Sequence, residues 1–206
     1  MNTLTRREIL QRAAYVLGGT LSAPAILGVL NGCVATRAVK VSPTWLSASD
    51  FDVVGEVADL MIPRTDTPGA KDLGVPAFID RMLKDTYDSV DRERFLAGLH
   101  AFQALSLKAY QQPFMALDSG TKTRLILQAQ EEALPVERAR PLGSPPVDRH
   151  FILMVKELTL LGYFTSEVGT TQALQYDPIP GAFHACVPIQ KAGNGKSWAL
   201  DGFAVF

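Results

Sequence analysis

Glu157 and Glu167 stand in and just beyond the most apolar run of this chain, HFILMVKELTLLGYF. A carboxylate held among apolar groups can serve as a general acid or base. The simpler expectation is structural: each pairs with Lys156 or a backbone amide. Other chemistry-bearing residues are sparse. His100, His150 and His184 are far apart and lack a His-x-x-x-His spacing, so no histidine metal site is expected. Two cysteines are too few for an iron–sulfur cluster, and Cys-x-x-Cys-His, the mark of covalent haem, is absent. The dinucleotide fingerprint Gly-x-Gly-x-x-Gly and the nucleophile elbow Gly-x-Ser-x-Gly are also absent. Gly193-Asn194-Gly195-Lys196-Ser197 imitates the end of a phosphate loop, but Gln190 stands where the first glycine belongs, so it reads as a turn. The chain by itself offers no catalytic set, no metal ligands and no cofactor-binding residues.

The elements that carry these residues are helical. The chain has 206 residues, 47% of them hydrophobic and 20% charged, enough apolar material for a packed core and too much for wholesale disorder. Its net charge is −1. Setting aside the first 32 residues, with Arg6, Arg7, Arg12 and Glu8, leaves 17 basic against 20 acidic residues. This is no nucleic-acid-binding balance, which would be basic and clustered.

A first helix is expected from a cap at Ser49 or Asp50, with Phe51, Val54, Ala58, Met61 and Ile62 on one face and Pro63 as its stop. The segment PRTDTPGAKDLGVP reads as a loop. A second helix follows from about Pro76, with Phe78, Ile79, Met82 and Leu83 inward. A longer one starts at Asp91 with the stripe Phe95, Leu99, Phe102 and Leu105, and Pro113 breaks it. Asp118-Ser119 opens a fourth that runs to about Leu134, and Asp148 opens a fifth. Five apolar residues in a row, Phe151 to Val155, predict that this last helix is buried on most sides and central. Beyond Gly169 only a short helical turn is expected. The predicted fold class is all-α, an irregular helical bundle with a long non-periodic C-terminal arm. Residues 1–35 read as a signal segment, 36–48 as a linker, 49–174 as the helical domain and 175–206 as the arm.

The signal segment has a basic start, an apolar middle and small residues at its end. Arg6-Arg7 before the charge-poor stretch from Ala13 to Ala35 is the pattern of twin-arginine export, which moves folded proteins. A buried N-terminal helix is the structural alternative. Left uncut, the segment could span a bilayer, since about 20 apolar residues suffice. Cys33 sits in Leu-Asn-Gly-Cys, similar to a lipobox, which would place a lipid on that thiol. Cleavage after Ala35, or none, are the alternatives. Cys186 is then an unpaired thiol, expected to be buried or covered. A Cys33–Cys186 disulfide would require that both survive.

Two stretches carry a family resemblance. Met61 to Asp80, MIPRTDTPGAKDLGVPAFID, and Lys156 to Gly169, KELTLLGYFTSEVG, followed by YDPIPG from Tyr176 to Gly181, resemble the gluconate 2-dehydrogenase subunit 3 family. The resemblance runs from about Ser49 to Trp198. It implies a small, non-catalytic subunit of periplasmic dehydrogenases acting on sugars, sugar acids or glycosides. In that family the large subunit is a glucose–methanol–choline-type flavoprotein that holds FAD, in some members with an iron–sulfur cluster. A cytochrome c often accepts the electrons. The small subunit carries the twin-arginine signal, assists folding and takes its partner through the translocon. The cofactor would then lie in the partner. The chain would sit in the periplasm, membrane-attached if Cys33 is lipidated or the signal is uncut.

Interfaces favour aromatics and arginine. On that ground Arg64 and Asp66 in the proline-bounded loop, Tyr163 and Phe164 at the end of the apolar helix, and Tyr176, Phe183 and Trp198 in the arm are candidate partner contacts. For each, core filling or local structure is the competing role; Asp66 could simply cap a turn. Two rival functions remain: a free-standing lipoprotein or binding module of the cell envelope, and an enzyme using Glu157 or Glu167 in a pocket.

Overall fold

The computed structural model describes residues 42–139, 149–176, 179, 186–188, 190–191 and 195–199. Arg6, Arg7, Cys33, Asp148, Phe183 and His184 lie outside them. Five α-helices make up the described domain: α1 Ala48–Met61, α2 Val75–Asp85, α3 Ser89–Tyr110, α4 Ser119–Arg138 and α5 Phe151–Phe164. No strand occurs among the described residues, in keeping with the all-α expectation.

Four of the five helix starts, all but that of α2, carry a side-chain cap, and those of α1 and α3 lie ahead of the expected positions. The cap of α1 is Ser47, whose hydroxyl accepts from the Asp50 amide at 3.1 Å and donates to the Asp50 carboxylate at 2.7 Å. The cap of α3 is Asp88, which accepts from the Asp91 amide at 2.8 Å. Asp50 and Asp91, expected as starting residues, instead occupy the third helical position, where a negative charge meets the positive helix end. Asp118 caps α4 as expected, accepting from the Thr121 amide at 3.0 Å. His150 caps α5 through Nδ1, which accepts from the Ile152 amide at 3.3 Å. Burial holds the His150 pKa below its ordinary value and so keeps the ring in the neutral form that an acceptor nitrogen requires.

Helix α5 is the centre of the bundle. It packs against α1, α2, α3 and α4. All five residues from Phe151 to Val155 are buried, followed by Leu158, Thr159, Gly162 and Tyr163. Close approach is bought with glycine at Gly98 on α3, where a methyl group would sit 2.5 Å from the Phe151 Cβ. Phe151 then packs edge-on against Phe95 with ring centres 5.1 Å apart.

Two inward faces differ from expectation. On α3 the stripe continues from Phe102 to Ser106, not Leu105, which is exposed. The Ser106 hydroxyl donates to the Gln112 carbonyl at 2.8 Å and so closes the helix end. On α1 the buried apolar residues are Val53, Val54, Val57 and Ala58, while Phe51, Met61 and Ile62 are half-buried. Helix α4 runs past the expected end at Leu134, through Pro135. Proline has helical φ and forfeits one bond there, and the Ala139 amide still closes on the Pro135 carbonyl at 3.0 Å.

After α5, a π-helical turn, Gly169–Ala173, leads into the arm. The two ends of the arm's described part meet in a parallel bridge between Gln175 and Trp198, with the Gln175 amide donating to the Ser197 carbonyl at 2.8 Å. Gly195, in the phosphate-loop look-alike, has φ +82°, a turn conformation.

Candidate functional site

The loop between α1 and α2 holds its shape through its own charges. Arg64 donates from Nε and Nη2 to the two oxygens of Asp72, at 2.8 and 2.5 Å. Asp72 also accepts from the Gly69 amide at 2.9 Å. The guanidinium, then the Gly69 amide, hold the Asp72 carboxyl below the usual carboxylate range. Such a fork-to-fork pair fixes direction as well as distance. Lys71 fastens the loop to α1: its amide donates to Asp59 at 3.1 Å and its ammonium pairs with Glu56. Glu56 also takes Lys122 of α4 at 2.7 Å, and the two ammonium groups, Lys122 first, lower its pKa. Asp66 is exposed and caps nothing among the described residues; the carboxylate that organises this loop is Asp72. Sequence reading passed over Asp72 because it lies outside the compact Arg-Thr-Asp triplet.

Tyr163 reaches this loop from α5. Its side chain is buried, its hydroxyl donates to the Pro68 carbonyl at 3.0 Å, and the Thr67 hydroxyl lies 3.0 Å away. The two stretches that carry the family resemblance therefore meet: the first supplies the loop, the second the tyrosine that pins it. Tyr163 is spent inside this chain. Phe164, next to it, is 37% exposed and packs edge-on against the Tyr163 ring at 5.2 Å. Tyr176 and Trp198 are 44% and 43% exposed. Phe183 lies outside the described residues.

A second anchor, on the segment ahead of α1, is Asp80 of α2, a residue that sequence reading did not single out. It is 2% exposed and accepts four hydrogen bonds: from the Thr44 amide at 2.6 Å, the Thr44 hydroxyl at 2.7 Å, the Trp45 amide at 3.2 Å and the Leu46 amide at 2.7 Å. It thereby ties the chain entering the domain to α2.

A groove of about 310 Å³ opens beside the loop, between the last turn of α1, helix α4 and helix α5. Leu60, Met61 and Ile62 form one wall, Ile126 and Leu127 another, and Lys156, Thr159 and Leu160 the third.

The candidate acid–base carboxylates are elsewhere. Glu157 is exposed and pairs with Arg149, not with Lys156, which donates instead to Gln130 at 2.9 Å. Glu167 is exposed, and its carbonyl accepts from the Thr171 hydroxyl at 2.7 Å. His100 is exposed and lies 3.6 Å from Asp50. Cys186 is exposed, contrary to the expectation that it is buried or covered. Among the described residues no cluster of three or more His, Cys, Asp or Glu could hold a metal ion. No described helix is long and apolar enough to cross a membrane.

No curated protein and no solved structure matches this chain. A family model does: that of gluconate 2-dehydrogenase subunit 3, over residues 48–181, a span that holds all five helices, the pinned loop, Asp80 and the groove. The loop signature, the tyrosine that closes on it and this match agree, and the chain belongs to the gluconate 2-dehydrogenase subunit 3 family.

Proposed function

We propose that this chain is the non-catalytic small subunit of an exported FAD-dependent dehydrogenase acting on a sugar, sugar acid or glycoside. The observation that carries the reading is the family match over residues 48–181, since the family's name makes its members subunits of a larger assembly. FAD, and any iron–sulfur cluster, belong to a glucose–methanol–choline-type large subunit, and a cytochrome c takes the electrons. This chain contributes export, through Arg6 and Arg7, together with folding and stability of its partner. It works in the periplasm, held at the membrane if Cys33 is lipidated or the signal is retained.

The geometry supports a binding role. The loop at Arg64 is ordered before any partner arrives, so docking it sacrifices little conformational entropy. Phe164, Tyr176 and Trp198 offer part-exposed aromatic surface of the kind interfaces favour. Arg64, Asp66 and Phe183 complete the contacts assigned to the partner. Glu157 and Glu167, both exposed, are in poor positions for acid–base work.

Replacing Arg6 and Arg7 together by Lys tests the export claim. The large flavoprotein is expected to accumulate in the cytoplasm with this chain, and most periplasmic dehydrogenase activity to be lost. A flavoprotein that still reaches the periplasm would refute co-export. A free-standing envelope lipoprotein, the alternative, predicts that no other protein is stranded by the change.

A further inference from the structure

The groove between α1, α4 and α5 is mostly apolar on its three walls yet carries a positive charge. Among the described residues Lys156 is the only charged member of its lining, and it meets the neutral amide of Gln130 and no carboxylate. Thr159 is fully buried, and its hydroxyl has no hydrogen-bond partner among the described residues. An ammonium with no carboxylate partner among the described residues, set in an otherwise apolar lining, is complementary to an incoming anionic group.

The rim has the same character. Leu127 and Leu160 are 52% and 41% exposed on opposite walls. Phe164 stands one turn beyond Leu160 on α5, and i,i+4 residues share a helix face. The wall formed by Ile62 runs directly into the pinned loop at Pro63. A volume of about 310 Å³ is at the lower limit of small-ligand pockets, roughly 300–1,000 Å³, and suits a few side chains better than a whole cofactor.

We propose that this groove seats a segment of the flavoprotein large subunit that presents bulky apolar side chains beside a carboxylate. The apolar side chains fill the space between Leu127 and Leu160, and the carboxylate meets Lys156. Charge decides the chemistry of the occupant: among the described residues the lining holds a cation and no anion, so an apolar segment flanked by Lys or Arg is repelled. The assignment rests on the subunit reading above and names the surface through which it operates.

The test uses the full-length chain, tagged and expressed with its large subunit in the native host. Flavin recovered per mole of tagged chain is measured for wild type, Leu160→Glu, Leu127→Glu, Lys156→Glu and Lys156→Arg, with Leu105→Glu on the exposed face of α3 as control. The groove variants Leu160→Glu, Leu127→Glu and Lys156→Glu are expected to lose at least about tenfold in recovered flavin. Lys156→Arg and Leu105→Glu should stay within about twofold of wild type. Thermal unfolding of each purified variant verifies folding; should Leu160→Glu not fold, Leu127→Glu on the other wall decides. Undiminished flavin with the groove variants, while wild type carries it, overturns the groove assignment and leaves the subunit reading intact. A wild-type chain without flavin overturns the subunit reading itself, and the groove assignment with it. A wild-type dimer that Leu160→Glu turns into monomer, with flavin retained, would make the groove a contact between copies and overturn the proposal.

Discussion

Asp80→Ala is expected to lower the stability of the helical domain by about 3 kcal/mol, the cost of orphaning buried donors that met a charged acceptor. The carboxylate is buried and gathers the amides of Thr44, Trp45 and Leu46 together with the Thr44 hydroxyl. Alanine leaves those donors without an acceptor and frees the entering segment from α2. Asp80→Asn keeps one acceptor oxygen and should recover part of the loss. The pH dependence has a defined sign. Burial pushes the Asp80 pKa up, but the hydrogen bonds from Leu46, Thr44 and Trp45 outweigh it, and the net shift is downward. A folded-state pKa below the unfolded one means that the contribution is complete above the ordinary value of about 3.9 and is lost as pH falls through the depressed folded value. Urea unfolding of wild type and Asp80→Ala at neutral pH and again in the acid range measures both effects. A difference within about 0.5 kcal/mol at neutral pH, the range of ordinary surface changes, would refute the anchoring role.

Gly169→Ala should be comparably damaging for a different reason. A methyl group at this position would lie 1.9 Å from the Tyr163 carbonyl oxygen and 2.8 Å from its carbon. Neither is the movable end of a side chain, so the turn itself must shift. That shift breaks the bonds that Ser166 makes on both sides: its hydroxyl donates to the Tyr163 carbonyl at 2.6 Å and accepts from the Gly169 amide at 3.0 Å. The cost is expected at about 3 kcal/mol, the upper end of overpacking. Because the turn begins the path to the Gln175–Trp198 bridge, the arm should also loosen, seen as faster proteolysis after α5 with the helical content largely retained. Wild-type melting and wild-type proteolysis would show that the turn accommodates a methyl group.

What the sequence makes legible is what periodicity and capping chemistry encode. The run from Phe151 to Val155 announced a buried central helix, and α5 is that helix. The stripe Phe95, Leu99, Phe102 was equally plain. Its last member was not, because a 3.6-residue period reaches both Leu105 and Ser106, and hydrophobicity favours the leucine while the structure buries the serine. Helix starts were ambiguous for a related reason. Ser47 with Asp50, and Asp88 with Asp91, each offer two residues able to cap, and the acid at the third helical position was mistaken for the cap itself.

Long-range polar contacts are the least legible part of the site. Asp80 serves amides more than thirty positions away, and Tyr163 closes on a loop more than ninety positions before it. No local pattern marks either. The loop was visible as a proline-rich signature, but its internal lock pairs Arg64 with Asp72, whereas proximity in sequence drew attention to Asp66. The groove was invisible, since it is made from the ends and flanks of three helices, and its orphaned Thr159 hydroxyl is a fact of packing.

The central claim is that this chain works as the accessory subunit of a flavoprotein. The most direct measurement is gentle affinity purification of the full chain from its native cell envelope, with an absorption spectrum and intact mass of every chain recovered. The account predicts a yellow complex containing a second, larger polypeptide that carries the flavin. A colourless chain recovered alone would contradict it.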